Sequence, residues 1–313
     1  MEARVYRRAV VLGGGGLTGA AWLTGVLAAF EAARIPLGTA DLVLGTSAGS
    51  VVGTQVVGGR SFAKQYRFLG AERVPARELL VRLYRAAPKP SPDVLEQLGA
   101  QLLDAPTSTE ASRAIEGRAA LAADTMPWPV WVALVALYLR RLRWPSPALA
   151  ITAVDAQSGR LRVFRASDRV HVAQAVAASS AVPQFFPPVR IQGGRYMDGG
   201  TRSVTNADLA AAYDLVLLFI DHRALPGGMG PLSRAALDAE IEGLRAGGAT
   251  VIEVSPDDAS PGRARRPRGA GPQPARAVGA GRAGAGRGRG GAGRGGAGGM
   301  RVTVGAESCA RTL

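Results

Sequence analysis

Two strand–glycine–helix units fill the first 57 residues, and they constrain the fold more than any other feature of the chain. The first opens with the apolar run Ala9–Leu12 and stops at Gly13-Gly14-Gly15-Gly16. Apolar residues at helical spacing follow, from Leu17 to about Arg34 (Leu17, Ala21, Leu23, Leu27, Phe30). The second opens with Asp41–Leu44, stops at Gly45 and continues as an apolar helix over Ser50–Val57. Short strands that are apolar at successive positions are buried on both faces. Strands joined through a helix run parallel. The opening therefore predicts an α/β fold around a largely parallel sheet.

The rest of the chain continues the pattern. Residues 61–147 read as mostly helical, broken at Pro75, Pro88, Pro90 and Pro92. Leu149–Val154 and Leu161–Phe164 flank Asp155–Gly159 and read as a β-hairpin with a longer loop. Val170–Ser180 is a small-residue helix, and Val189–Met197 is a strand pair turning at Gly193-Gly194. Leu215–Ile220 is a strand, Ser233–Arg245 a helix and Thr250–Val254 a last strand.

Composition then divides the chain. From Pro261 onward Gly, Ala, Arg and Pro dominate, and large apolar residues almost vanish. Such a segment cannot bury enough surface to offset its conformational entropy, so residues 261–313 are expected to be a disordered tail. The folded domain is placed at residues 8–256. The tail holds 11 Arg and one Glu, a balance of +10 within the total of +14, so the body is only mildly basic. A specific nucleic-acid partner is not expected on that ground, because the arginines sit on a tail that reads as a solvated, non-specific segment. The single cysteine, Cys309, excludes an internal disulfide and a cysteine-rich metal site. The apolar run near the N-terminus is too short for a signal peptide. No stretch reaches the roughly 18 to 20 apolar residues of a membrane span. A cytoplasmic protein is expected.

Three motifs carry chemistry. Gly45-Thr46-Ser47-Ala48-Gly49 is G-x-S-x-G between an apolar strand and an apolar helix. A serine on such a turn presents its hydroxyl at the sheet edge, and the flanking glycines let neighbouring backbones crowd it. The helix that follows favours negative charge at its N-terminus. Gly13–Gly16 with Gly19 contains G-x-G-x-x-G at Gly14, Gly16 and Gly19. One reading is a dinucleotide cradle, but Asp41 starts the second strand, where a ribose-binding acid would end it. The other reading is a set of backbone amides forming an oxyanion hole beside the serine turn. The third motif, Asp198-Gly199-Gly200, supplies a carboxylate at the end of a strand. It matters because the only histidines are His171 and His222. His171 falls in the helical stretch Val170–Ala178. His222 follows the strand Leu215–Asp221 and keeps a Ser47–Asp198–His222 triad open.

In this order and spacing, the three motifs resemble those of the patatin-like phospholipases, as does Ala178–Pro188 just before the Asp-Gly-Gly. The resemblance covers about residues 8–256. It implies a three-layer sandwich with helices on both faces of the sheet, and a Ser–Asp dyad that cleaves carboxylic esters of lipids without a cofactor or metal. It maps Ser47 to the nucleophile, Asp198 to the base and Gly14, Gly15 and Gly16 to the oxyanion loop. Gly19, Gly45, Gly49, Gly199 and Gly200 complete the motifs. The substrate implied is a lipid or acyl ester.

One further segment bears on partners. Trp128–Trp144 has tryptophans at both ends and arginines near its close. It reads either as an interfacial helix making peripheral membrane contact or as an ordinary buried helix.

Overall fold

The computed structural model describes residues 6–69, 109–221, 234–256 and 300–304. Its centre is a nine-stranded sheet in the order β5-β6-β3-β2-β1-β7-β8-β9, with β4 paired to β3. The strands are β1 Arg8–Leu12, β2 Leu42–Gly45, β3 Leu149–Asp155, β4 Leu161–Arg165, β5 Val189–Ile191, β6 Gly194–Asp198, β7 Leu215–Phe219, β8 Thr250–Pro256 and β9 Met300–Val304. The helices are α1 Gly16–Ala32, α2 Ala48–Val57, α3 Phe62–Leu69, α4 Glu110–Ala122, α5 Trp128–Leu139, α6 Val172–Ser179 and α7 Arg234–Ala246. The expected breaks at Pro75, Pro88, Pro90 and Pro92 lie outside the described residues, as does His222.

The core of the sheet, β3-β2-β1-β7-β8, is parallel throughout. Its strands are buried on both faces, which is why they read as continuous apolar runs. Side chains alternate between faces with period two. Val10, Leu12 and Val43 join the apolar cluster that holds Leu23 and Leu27 of α1, Val52 of α2, Trp131 and Val135 of α5 and much of α6. Ala9, Val11, Leu42 and Leu44 join the opposite cluster, with Leu237, Ile241 and Leu244 of α7. The result is a mixed α/β layering with helices on both faces of the sheet. No helix among the described residues is long and apolar enough to cross a membrane.

The register at β3 decides where the site forms. Ala150 pairs with Leu44 of β2 and with Arg165 of β4. Ala153 pairs with Asp198 of β6 and with Arg162 of β4. A strand has two edges, so β2 and β6 share the edge opposite β4. β2 runs parallel to β3 and ends at Gly45, opposite Ile151. β6 runs antiparallel and ends at Asp198, opposite Ala153. The two strands thus meet end to end along one edge, with Thr152 at the junction.

Of the residues expected to form the tail, 300–304 are described. Met300–Val304 forms β9, antiparallel to β8. The five residues Met-Arg-Val-Thr-Val carry no glycine and three β-branched side chains, unlike residues 261–299. Such residues suit an extended chain.

Candidate active site

Ser47 stands between β2 and α2 with φ 52° and ψ −118°, a left-handed backbone for a residue with a Cβ. Such a conformation costs about 1–3 kcal/mol and persists only where its surroundings fix it. Here they do. The Ser47 N–H donates to Ser179 Oγ at 2.9 Å. Its carbonyl accepts from the Ser50 N–H at 2.9 Å, from Ser50 Oγ at 2.7 Å and from Ser180 Oγ at 3.3 Å. The glycines of the turn have steric reasons. A Cβ on Gly45 would lie 2.5 Å from Ser50 Cα, and one on Gly49 would run into the Leu12 carbonyl.

The hydroxyl of Ser47 donates to Asp198 Oδ2 at 2.7 Å, across 151 residues of sequence. The other oxygen, Oδ1, accepts the Gly200 N–H at 2.7 Å. The Asp198 N–H donates to Ala181 O at 3.0 Å, which ties the end of β6 to the segment after α6. A Cβ on Gly199 would lie 2.7 Å from Thr152 O, so the first glycine of Asp-Gly-Gly lets the chain turn against β3.

Beneath the pair lies a buried polar knot. Thr46 Oγ1 and Thr152 Oγ1 are 2.8 Å apart, and Asn206 Nδ2 donates to Thr46 Oγ1 at 3.2 Å, to Gly199 O at 3.2 Å and to Ser203 O at 2.7 Å. One fully buried amide therefore binds the serine turn, β3 and the loop after Asp198 together. Buried polar groups that are fully satisfied fix a unique geometry.

The glycine loop approaches from β1. A Cβ on Gly14 would lie 3.5 Å from Ser47 Cβ, so the loop touches the serine directly. The Gly13 N–H donates to Phe219 O at 2.9 Å and the Gly14 N–H to Val204 O at 2.8 Å. This corrects one expectation: Gly14 belongs to the loop, but its amide is already committed and cannot face an oxyanion. Gly15 and Gly16, with φ 137° and 59°, start α1 without a side-chain cap. Their amides bond to none of the described residues and are open as donors. Gly19 packs close to the loop, since a Cβ there would lie 3.1 Å from Gly14 O.

Electrostatics single out Asp198. It is 4% exposed. Burial pushes its carboxyl up to about 7, opposed by the Ser47 and Gly200 hydrogen bonds. A second carboxyl belongs to the same environment. Glu116 of α4 is 8% exposed. Burial pushes it up to about 7, the Asp198 charge adds to that shift, and Arg113 opposes it. Arg113 is itself buried and donates from Nε to Gly159 O at 2.7 Å. Glu116 escapes sequence reading because the surrounding EASRAIEGRAALA looks like an ordinary amphipathic helix. Ser179 and Asn206 escape it too: Ser179 lies in the small-residue stretch Val170–Ser180 with no sign of its bond, and Asn206 falls between Asp198-Gly199-Gly200 and the strand at Leu215, where the sequence marks no element.

His171 is the N-cap of α6 and is exposed, rather than packed inside the helix. Ser179 at the far end of α6 bonds to Ser47, so the eight residues of α6 separate His171 from the site by about 12 Å.

The fold and this geometry define a mixed α/β protein with a Ser–Asp pair at the carboxyl ends of its parallel strands, where such sheets place their ligands. Its family follows from comparison. The family model of the patatin-like phospholipases matches residues 10–211, well over half of the chain, and the chain belongs to that family. The crystal structure of VipD from Legionella pneumophila is similar at 15% identity and a TM-score of 0.35, over 69% of this chain and 50% of that one. This chain therefore spans half the length of that relative. Comparison with curated protein sequences gives no match.

Proposed function

We propose that this chain cleaves carboxylic esters of lipids through a Ser47–Asp198 dyad and an acyl-enzyme intermediate. The observation that carries this reading is the 2.7 Å hydrogen bond from Ser47 Oγ to Asp198 Oδ2 on a strained strand-to-helix turn. The ionised Asp198 accepts the hydroxyl proton as Oγ attacks the ester carbonyl. The amides of Gly15 and Gly16 stabilise the oxyanion, each worth roughly 3 kcal/mol by the general magnitude of such donors. Collapse breaks the ester C–O bond, and the leaving alcohol takes the proton from Asp198. Water then repeats the sequence, with Asp198 as base, and releases the fatty acid.

Two other readings have less support. In a Ser47–Asp198–His222 triad an imidazole would stand between the other two groups, yet the hydroxyl donates directly to the carboxylate. A dinucleotide cradle would need the loop amides free, yet those of Gly13 and Gly14 are bonded.

A fluorophosphonate probe tests the nucleophile. We expect one label, mapped to Ser47, and none in Ser47→Ala at an unchanged thermal midpoint. Labelling of Ser47→Ala at the wild-type rate would remove the assignment.

A further inference from the structure

α5 is apolar on both sides. Its twelve residues contain no charge. The inner stripe, Trp131, Val135 and Leu139, is buried. Trp131 stacks on Phe186 at 4.1 Å and donates from Nε1 to Ala177 O at 2.9 Å. The outer stripe is Val130, 45% exposed, and Leu137, 55% exposed, with exposed Ala133 between them. A surface helix of a soluble domain normally turns polar side chains outward, and one that is apolar all round is buried or faces lipid. Just past the helix come Leu142, 51% exposed, and the exposed Arg140 and Arg143, which form no ion pair among the described residues. Trp144 is not part of this surface, because its Nε1 donates to Val170 O at 2.8 Å.

We infer that the outer face of α5, with Arg140 and Arg143, docks on an anionic lipid surface. The inference rests on the reading of the chain as a lipid acyl-hydrolase. Charge decides between lipid and a second copy of the chain. No acidic residue occurs from Thr125 to Val154. A twofold contact through this face would bring two such cationic segments together, whereas anionic headgroups neutralise them. The buried inner stripe of the same helix packs toward the site. Phe186, stacked on Trp131, bonds through its N–H to Val182 O at 2.9 Å, and Val182 is exposed three residues after Ser179.

The test uses the full chain, so the Arg-rich residues 261–313 are present in every sample. Flotation is measured with vesicles of phosphatidylcholine containing about 30% phosphatidylserine. Two variants are compared with wild type, Val130→Asp/Leu137→Asp and Arg140→Gln/Arg143→Gln, each checked for its thermal midpoint and for hydrolysis of a soluble short-chain ester. We expect the first to lower vesicle binding about tenfold or more and the second about threefold. Soluble-ester hydrolysis should stay at the wild-type level. Unchanged vesicle binding in both variants would overturn the inference and assign lipid contact to another surface. Conversion of a dimer to a monomer by the first variant would overturn it in favour of a second copy. Absence of ester hydrolysis in wild type would count against the catalytic reading alone, since flotation is read without turnover.

Discussion

Asp198 carries opposing demands. It must be ionised to take the Ser47 proton, yet burial holds its carboxyl up to about 7. The activity consequence is direct: kcat/KM on a soluble ester should rise with pH and level off above about 7. The stability consequence has the opposite sign. A carboxyl whose folded value is raised from 3.8 costs stability as pH climbs between the two values, and the cost is complete above about 7. Asp198→Asn keeps the shape and removes the charge. Its thermal midpoint should exceed that of wild type at pH 8 by a few degrees, and the gain should fade toward pH 4. The Asp198 charge also helps push the Glu116 carboxyl up, and an interaction between two charges acts on both. Glu116→Gln should move the acid limb of kcat/KM to lower pH by about half a unit or more. A limb that stays in place would show that Glu116 has no electrostatic hold on the base. Sequence reveals Ser47 and Asp198 because their glycine neighbours mark tight turns. Ser179 and Asn206 have no such neighbours, and Gly117 beside Glu116 lies inside α4 and marks no turn; their importance comes from contacts that only the folded chain creates.

The elements were largely legible, because buried parallel strands and amphipathic helices leave different periods in the sequence. Nearly every strand and helix expected from Ala9 to Val57 and from Leu149 to Val254 lies within a residue or two of its observed position. What periodicity cannot state is that β6 enters the sheet antiparallel and abuts β2 along one edge of β3. That junction, at Thr152, turns two distant motifs into one site. The glycines at it make a sharp prediction. A methyl on Gly49 would meet the Leu12 carbonyl, which is rigid backbone between two strands. Gly243, in the exposed middle of α7, has nothing within 4 Å of an added Cβ. Gly49→Ala should therefore give insoluble or labelling-dead protein, whereas Gly243→Ala should be stabilised by about 0.5–1 kcal/mol through helix propensity. Denaturant titration of both, beside fluorophosphonate labelling, checks the contrast. A Gly49→Ala protein of wild-type stability would mean the turn is looser than described.

At the scale of the molecule, the catalytic reading needs only the sheet from β6 to β8 and its helices. Within residues 261–313, the described Met300–Val304 adds β9 to the edge at β8. Deleting residues 262–313 should lower the thermal midpoint by a few degrees while leaving soluble-ester hydrolysis intact; an inactive product would make the edge strand essential. The central claim, that Ser47 and Asp198 act without an imidazole, is tested most directly by kcat/KM on one soluble ester across four variants. Ser47→Ala and Asp198→Asn should each lose about a thousandfold or more. His171→Ala and His222→Ala should stay within about tenfold of wild type, on the order of 1.4 kcal/mol in the barrier. A His222→Ala protein as inactive as Ser47→Ala, beside an active Asp198→Asn, would contradict the dyad.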